Sequence, residues 1–329
     1  MSSLEASTGI VEPNKIGGRK NRKSGKVRRA DLRRRIVVNW ELYLLLLPAV
    51  FYIVLFHYVP MYGLQIAFKD YSPALGIGGS PWTGLTNFLQ FFNSFYFWTA
   101  LRNTLLISLY QIAAAFPVPI ILALLLNNLP SKGYKKTVQM VTYAPHFIST
   151  VVLVGLIHIM LSPTTGAVNK VFEALGLQPV FFMQEPGLFK SIYVFSGVWQ
   201  NMGFGSIVYL AALSSVDPQL HEAAIVDGAT KLQRIRHIEI PTIIPTALVL
   251  LVLNVGRLFT VGFEKIFLMQ NPLTINASEV IATYVYRTGI LQGRFSFATA
   301  VGLVNAAANF IMLYLFNRFA RRVGKVSLW

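Results

Sequence analysis

Long apolar runs constrain this chain more than any other feature. From Leu42 to Tyr62 there is no Asp, Glu, Lys or Arg, and five further stretches of similar character follow. About 20 helical residues cross a hydrocarbon core ~30 Å thick. Lipid offers no partner for a backbone N–H or C=O, so such runs cross as helices. On this reading the spans lie near 42–62, 104–128, 138–161, 190–213, 242–262 and 295–317. The expected fold class is an all-α polytopic membrane protein with about six transmembrane helices. Composition agrees: 13% of the 329 residues are charged, against about 25% in a soluble domain.

The spans are not uniformly oily. The second carries Pro117 and Pro119, and the third carries Pro145, His146 and His158. Proline frees backbone carbonyls, so kinked helices packed on protein or lining a cavity are expected there. The fourth holds Gly197, Gly203 and Gly205 beside Trp199, Gln200 and Asn201. Small residues permit close helix packing, and the amides require a partner.

The net charge of +16 is unevenly placed: residues 1–39 hold 11 Lys/Arg against Glu5, Glu12 and Asp31. No aromatic residue interleaves with these basic residues, which argues against nucleic acid and for a tail against anionic lipid. If that tail is cytoplasmic, the inner segments carry 21 Lys/Arg and the outer ones 5. This asymmetry places both termini in the cytoplasm. The division is a basic cytoplasmic tail, 1–39, expected to be partly disordered, and a membrane domain, 40–329. The first apolar run lacks a small-x-small cleavage site and follows too long a basic region for a cleaved signal.

Several chemistries are excluded. There is no cysteine, so no thiol catalysis or Cys–metal site. The five histidines form no His-x-x-x-His or His-Glu-x-x-His pair, and no metal site is expected. Gly18 and Gly25-Lys26 are separated by six residues instead of four, and Val27 stands where Ser/Thr would hold magnesium. That is not a phosphate-binding loop. The spans carry no catalytic constellation, so this chain is expected to be no enzyme and to bind no cofactor itself.

The most informative segment is the loop at about 214–241, between the fourth and fifth spans. Asp217 is a good N-cap, Pro218 suits the first helical position and Gly228 a helix end. A second short helix is expected after Gly228, stopping at Pro241. Within it, Glu222-Ala223-Ala224, Asp227-Gly228-Ala229, Ile238 and Ile240-Pro241 follow a fixed spacing. That spacing resembles the coupling-loop signature of permease subunits of bacterial binding-protein-dependent ATP-binding-cassette importers. Isoleucine stands at Ile240 where leucine is more usual. Pro60-Met61-Tyr62-Gly63, Gly84-Leu85-Thr86-Asn87-Phe88, Ser162-Pro163-Thr164-Thr165-Gly166 and Gly262-Phe263-Glu264-Lys265 resemble the branch handling oligosaccharides from complex polysaccharides.

The resemblance implies a permease domain with the type I importer fold in a bacterial cell membrane. It implies a second homologous permease in a heterodimer, two cytoplasmic ATPase subunits holding ATP and magnesium, and an extracytoplasmic solute-binding protein. Glu222, Ala223, Ala224, Asp227, Gly228, Ala229, Ile238 and Pro241 would form the ATPase-coupling loop. Trp199, Gln200, Asn201, Asn254 and Arg257 are candidates for the substrate pathway. For Arg257 a structural pair with Glu264, two helical turns on, competes with substrate contact. For Gln200 and Asn201, helix–helix hydrogen bonding competes with it. The rival function is an ion-gradient-driven secondary transporter working without an ATPase, which would require intramembrane carboxylates.

Overall fold

The computed structural model describes residues 37–324. The tail expected at 1–39 therefore lies outside the described residues except for its last three. Two compact units are present, one ending at Tyr62 and one beginning at Gly63.

In the first unit a continuous helix starts at Trp40, and its Trp40–Ile53 segment buries no side chain. A helix that is apolar all round, with no buried face of its own, suits a lipid or partner surface. We label the span α1, Trp40–Phe68. It contains a π-helical turn, Val54–Tyr58, immediately before Val59–Met61 and Pro60.

The second unit holds the core. Its principal helices are α2, Phe95–Asn127; α3, Lys132–Tyr143; α4, Thr150–Met160; and α5, Pro186–Leu213. They continue with α6, Pro218–Val226; α7, Lys231–Val255; α8, Phe263–Met269; and α9, Phe295–Gly324. By length and composition, four helices among the described residues could cross a membrane: α1, α2, α7 and α9.

The expected third span differs from the reading above for a physical reason, while the fourth, 190–213, lies within one helix. The third is broken: Lys132–Phe147 and α4 meet at 102°. The break falls at 148–149, directly after Ala144–Phe147, where Pro145 removes a donor and the chain tightens to a 3-10 turn. The fourth, α5, has 28 residues, about 42 Å at 1.5 Å per residue, long enough to cross. Its middle is polar because it is the central helix, packed on α2, α3 and α7, and side chains that face protein need not be oily.

Three buried clusters hold this unit together. One joins Ile107, Val154, Phe189, Tyr193, Val194, Ile266 and Met269. A second gathers Phe91, Phe97, Tyr284, Phe297 and Val301, with Phe91 and Phe97 edge-on at 4.7 Å. The third, Ala123, Tyr209, Leu213 and Ile243, fastens α2, α5 and α7 near the α6 end.

Gly203 sets the closest approach in the unit. A Cβ built there would lie 2.0 Å from the Thr142 carbonyl oxygen, so only glycine lets α5 touch the broken third span. Nearby, Gln200 donates to Ile148 O at 2.8 Å, and His146 Nδ1 is 3.0 Å from Asn201 Oδ1. The His146 ring stacks on Phe204 at 4.0 Å. Gly203→Ala is expected to cost about 1–3 kcal/mol by overpacking and to lower the thermal midpoint in detergent. Gly155→Ala, with nothing within 4 Å of its Cβ, is expected to leave or raise it; equal losses at the two sites would remove close approach as the cause.

Candidate functional site

The 214–241 loop is built by its caps. Asp217 Oδ1 accepts from Gln219 N at 2.9 Å and opens α6. At the other end Gly228 N donates to Ile225 O at 3.0 Å, and Ala229 N donates to Ala224 O at 2.8 Å. These two bonds form a Schellman motif. Gly228 takes φ +78°, a conformation that a β-branched residue resists. Thr230 then caps α7 through a reciprocal box with Gln233.

The loop presents an apolar face outward. Glu222 and Ala223 are exposed, Ala224 and Ala229 half-buried, and Asp227 and Gly228 exposed. Around them Leu220, Ile225, Val226 and Leu232 are exposed, Val226 by 87%. This patch is a rigid knob with uncovered apolar side chains, the form of a protein docking surface.

The second short helix does not stop at Pro241. A π-helical turn, Ile235–Glu239, carries it without a break into Ile240–Val255. The wider turn gives room to the proline ring, whose clash with the preceding turn would otherwise kink the helix. Ile238 is half-buried and its carbonyl accepts from Thr242 Oγ1 at 2.8 Å; Pro241 is exposed. α7 is therefore one rod whose first turns belong to the loop.

Its base is clamped. Glu239 is 1% exposed, and its carboxylate accepts from Asn127 Nδ2 at 3.1 Å and from Asn128 Nδ2 at 2.9 and 2.8 Å. Lys231 Nζ donates to Asn128 O at 2.8 Å. Two groups near the start of α7 thus hold the end of α2. Sequence reasoning passed over Glu239, although an acid flanked by Ile238 and Ile240 at the mouth of an apolar run needs a partner.

At the other end, α7 finishes at Val255, several residues before the expected 262. Segment 256–262 is unwound and pinned from two sides. The Ser108 hydroxyl donates to the Leu258 carbonyl. Asn309 accepts from Phe259 N and donates to Thr260 Oγ1, both at 3.0 Å. Here a cavity of about 320 Å³ opens, lined by Ser108, Gln111, Asn201, Asn254, Arg257 and Thr260 with apolar neighbours from α2. Three of the five pathway candidates, Asn201, Asn254 and Arg257, meet there. Trp199 is not on its wall, and Gln200 is engaged with the Ile148 carbonyl.

The pair of Arg257 with Glu264 does not form. The continuous helix that would stack them ends before Arg257, and Glu264 is an exposed residue of α8. Its neighbour Lys265 is folded inward. The Lys265 amine donates to Tyr193 O at 2.9 Å and lies 4.8 Å from the Tyr193 ring centre. Burial lowers its pKa to about 8. This contact fastens α8 to α5.

Residues 102–325 match the family model described as the binding-protein-dependent transport system inner membrane component. The polygalacturonan/rhamnogalacturonan transport system permease protein YteP of Bacillus subtilis is 40% identical over 92% of this chain and 95% of its own. Protein LplB of the same organism is 40% identical over 88% and 91%. Among solved structures, a bacterial alginate ABC transporter, in complex with a periplasmic protein bound to an alginate pentasaccharide, contains a chain of like fold. The TM-score is 0.84 at 43% identity, covering 90% of this chain and 99% of that one.

The clamp yields a local test. Glu239→Ala leaves two asparagine amides without their buried acceptor, a loss of about 1–3 kcal/mol. Amide hydrogen exchange across 229–239 is expected to accelerate about tenfold or more, the counterpart of ~1.4 kcal/mol. Exchange in α4 stays as it was. Uniform acceleration along the chain, or none at 229–239, would mean that Glu239 does not hold the base of α7.

Proposed function

The chain belongs to the family of binding-protein-dependent transport system inner membrane components, and from that premise we propose how it drives import. It is an integral inner-membrane permease of the sugar-importer type. In the proposed scheme it pairs with a second, homologous permease. Two ATPase subunits, which hold ATP and magnesium, sit beneath the α6 knob, and a solute-binding protein delivers sugar to the opposite face. The Lys/Arg asymmetry supports a cytoplasmic location for both termini and for the knob. The cargo proposed is an oligosaccharide, in keeping with relatives that serve polygalacturonan/rhamnogalacturonan and alginate.

The observation that carries this reading is the rod that connects knob to cavity. When the ATPases close, the exposed face around Leu220, Ile225 and Val226 moves with them. The capped turn at Gly228 and the Glu239 clamp pass that motion to α7, whose far end bears Asn254 beside Arg257. The spans then alternate between inward-open and outward-open. The ATPases shift this balance because their contacts with the knob differ between the two states. The rival reading, an ion-coupled carrier, would use an intramembrane carboxylate. Glu239, buried at the base of α7, is already held by Asn127 and Asn128.

Gly228→Val tests the coupling. A β-branched residue at φ +78° costs about 1–2 kcal/mol or more and opens the Schellman turn. In proteoliposomes containing the whole complex, ATP-driven sugar uptake and binding-protein-stimulated ATPase activity are expected to fall at least tenfold at normal expression. Full uptake by this variant would overturn the coupling role of the loop.

A further inference from the structure

The cavity at the end of α7 carries a single formal charge. Arg257 lines it, with Ser108, Gln111, Asn201, Asn254 and Thr260 supplying hydroxyls and amides, and neither Asp nor Glu is on its wall. A guanidinium stays protonated at any physiological pH. Within a membrane-embedded site it calls for an anion. Arg257 makes no ion pair with a described residue. The structure contrasts this with Arg287, whose guanidinium lies 2.5 Å from the Glu279 carboxylate.

We propose that Arg257 reads the carboxylate of an acidic sugar unit passing through this cavity, which makes the cargo a uronate-bearing oligosaccharide. The proposal rests on the sugar-permease reading above and names the substrate class of that site.

The guanidinium is held on a fixed support. Arg257 N donates to Asn254 O at 3.1 Å, and Thr260 N donates to Arg257 O at 2.8 Å. The next residues are tied to Ser108 and Asn309. A planar fork on a pinned backbone can meet a carboxylate in a bidentate manner, which gives direction as well as attraction. The surrounding amides and hydroxyls suit the ring hydroxyls of the same sugar unit. At about 320 Å³ the cavity is at the small end for ligand sites, so it contacts a short stretch of a chain and not the whole oligosaccharide.

The experiment uses the complete complex in proteoliposomes, with its binding protein saturated by each probe in turn. The probes are oligogalacturonides, alginate oligosaccharides and the same sugars with their carboxylates reduced to neutral alcohols. The expected result is ATP-driven uptake of an acidic probe at least tenfold faster than that of its reduced counterpart. In Arg257→Gln this ratio should fall towards one, and Arg257→Lys should restore part of it. Wild-type uptake with no preference for the acid would overturn the proposal and leave the sugar-permease reading standing, as would a ratio unchanged in Arg257→Gln. ATP-dependent uptake of no saccharide at all would instead overturn the sugar-permease reading, and this inference with it.

Discussion

Within a bilayer every backbone amide and carbonyl must find its partner inside the protein, and the irregular points of this fold are arranged around that requirement. Two prolines that would break a span, Pro60 and Pro241, each follow a π-helical turn, where Val59 N reaches Val54 O and Ile240 N reaches Ile235 O. Where the helix does break, side chains take over. Gln200 satisfies the Ile148 carbonyl at the bend between α3 and α4. Ser108 and Asn309 do the same for the unwound residues after α7. Polar side chains on α2, α5 and α9 are therefore structural parts of their neighbours.

In the proposed coupling, the same requirement suits α7 to be the mechanical element. Because the π turn keeps it continuous from Lys231 to Val255, its 25 residues span about 37 Å at 1.5 Å per residue. A flexible joint at Pro241 would have isolated the knob from the membrane. Without that joint, displacement of α6 has to tilt or shift the rod, and α7 packs on both α5 and α9. Two buried clusters hold opposite ends of α5: Phe189 and Tyr193 pack beside α8, and Tyr209 and Leu213 pack near α6. α7 joins the second of these through Ile243, Ala247 and Leu250.

Much of this was legible in the sequence, and the limits are physical. Asp217, Pro218 and Gly228 each act locally, so their caps could be placed from residue type alone. The apolar runs marked α1, α2, α7 and α9 because hydropathy averages over a whole span. A kink is expected from Pro145, and the chain bends by 102° shortly after it, but the close seat of this span on α5 requires Gly203 to admit the Thr142 carbonyl. That is a contact across more than sixty positions of chain, which no local pattern encodes. Pro241 reads as a helix stop because proline usually is one, and nothing in Ile-Arg-His-Ile-Glu announces a π turn. Glu239 went unnoticed because its partners, Asn127 and Asn128, lie at the end of a different span. Of the two readings of Arg257, the pair with Glu264 presupposes a helix that in fact ends at Val255.

The fate of the ionisable groups in the described unit separates support from recognition. Glu239 is saturated by two amides, the Lys265 amine donates a hydrogen bond to the Tyr193 carbonyl, and Arg287 lies against Glu279. Each of these is enclosed by groups from another element, so each fixes the position of one segment on a second. Asn103, buried on α2, is used in the same way, donating to the Asn276 and Glu279 carbonyls. Arg257 departs from this pattern, since its backbone is tied down while its guanidinium faces an open, amide-lined cavity. A charge with a tied backbone and no counter-charge among the described residues is what the proposed recognition of an acidic cargo uses. In a permease, what arrives is the cargo, and the site is strongest where the cargo supplies the negative charge that the walls withhold.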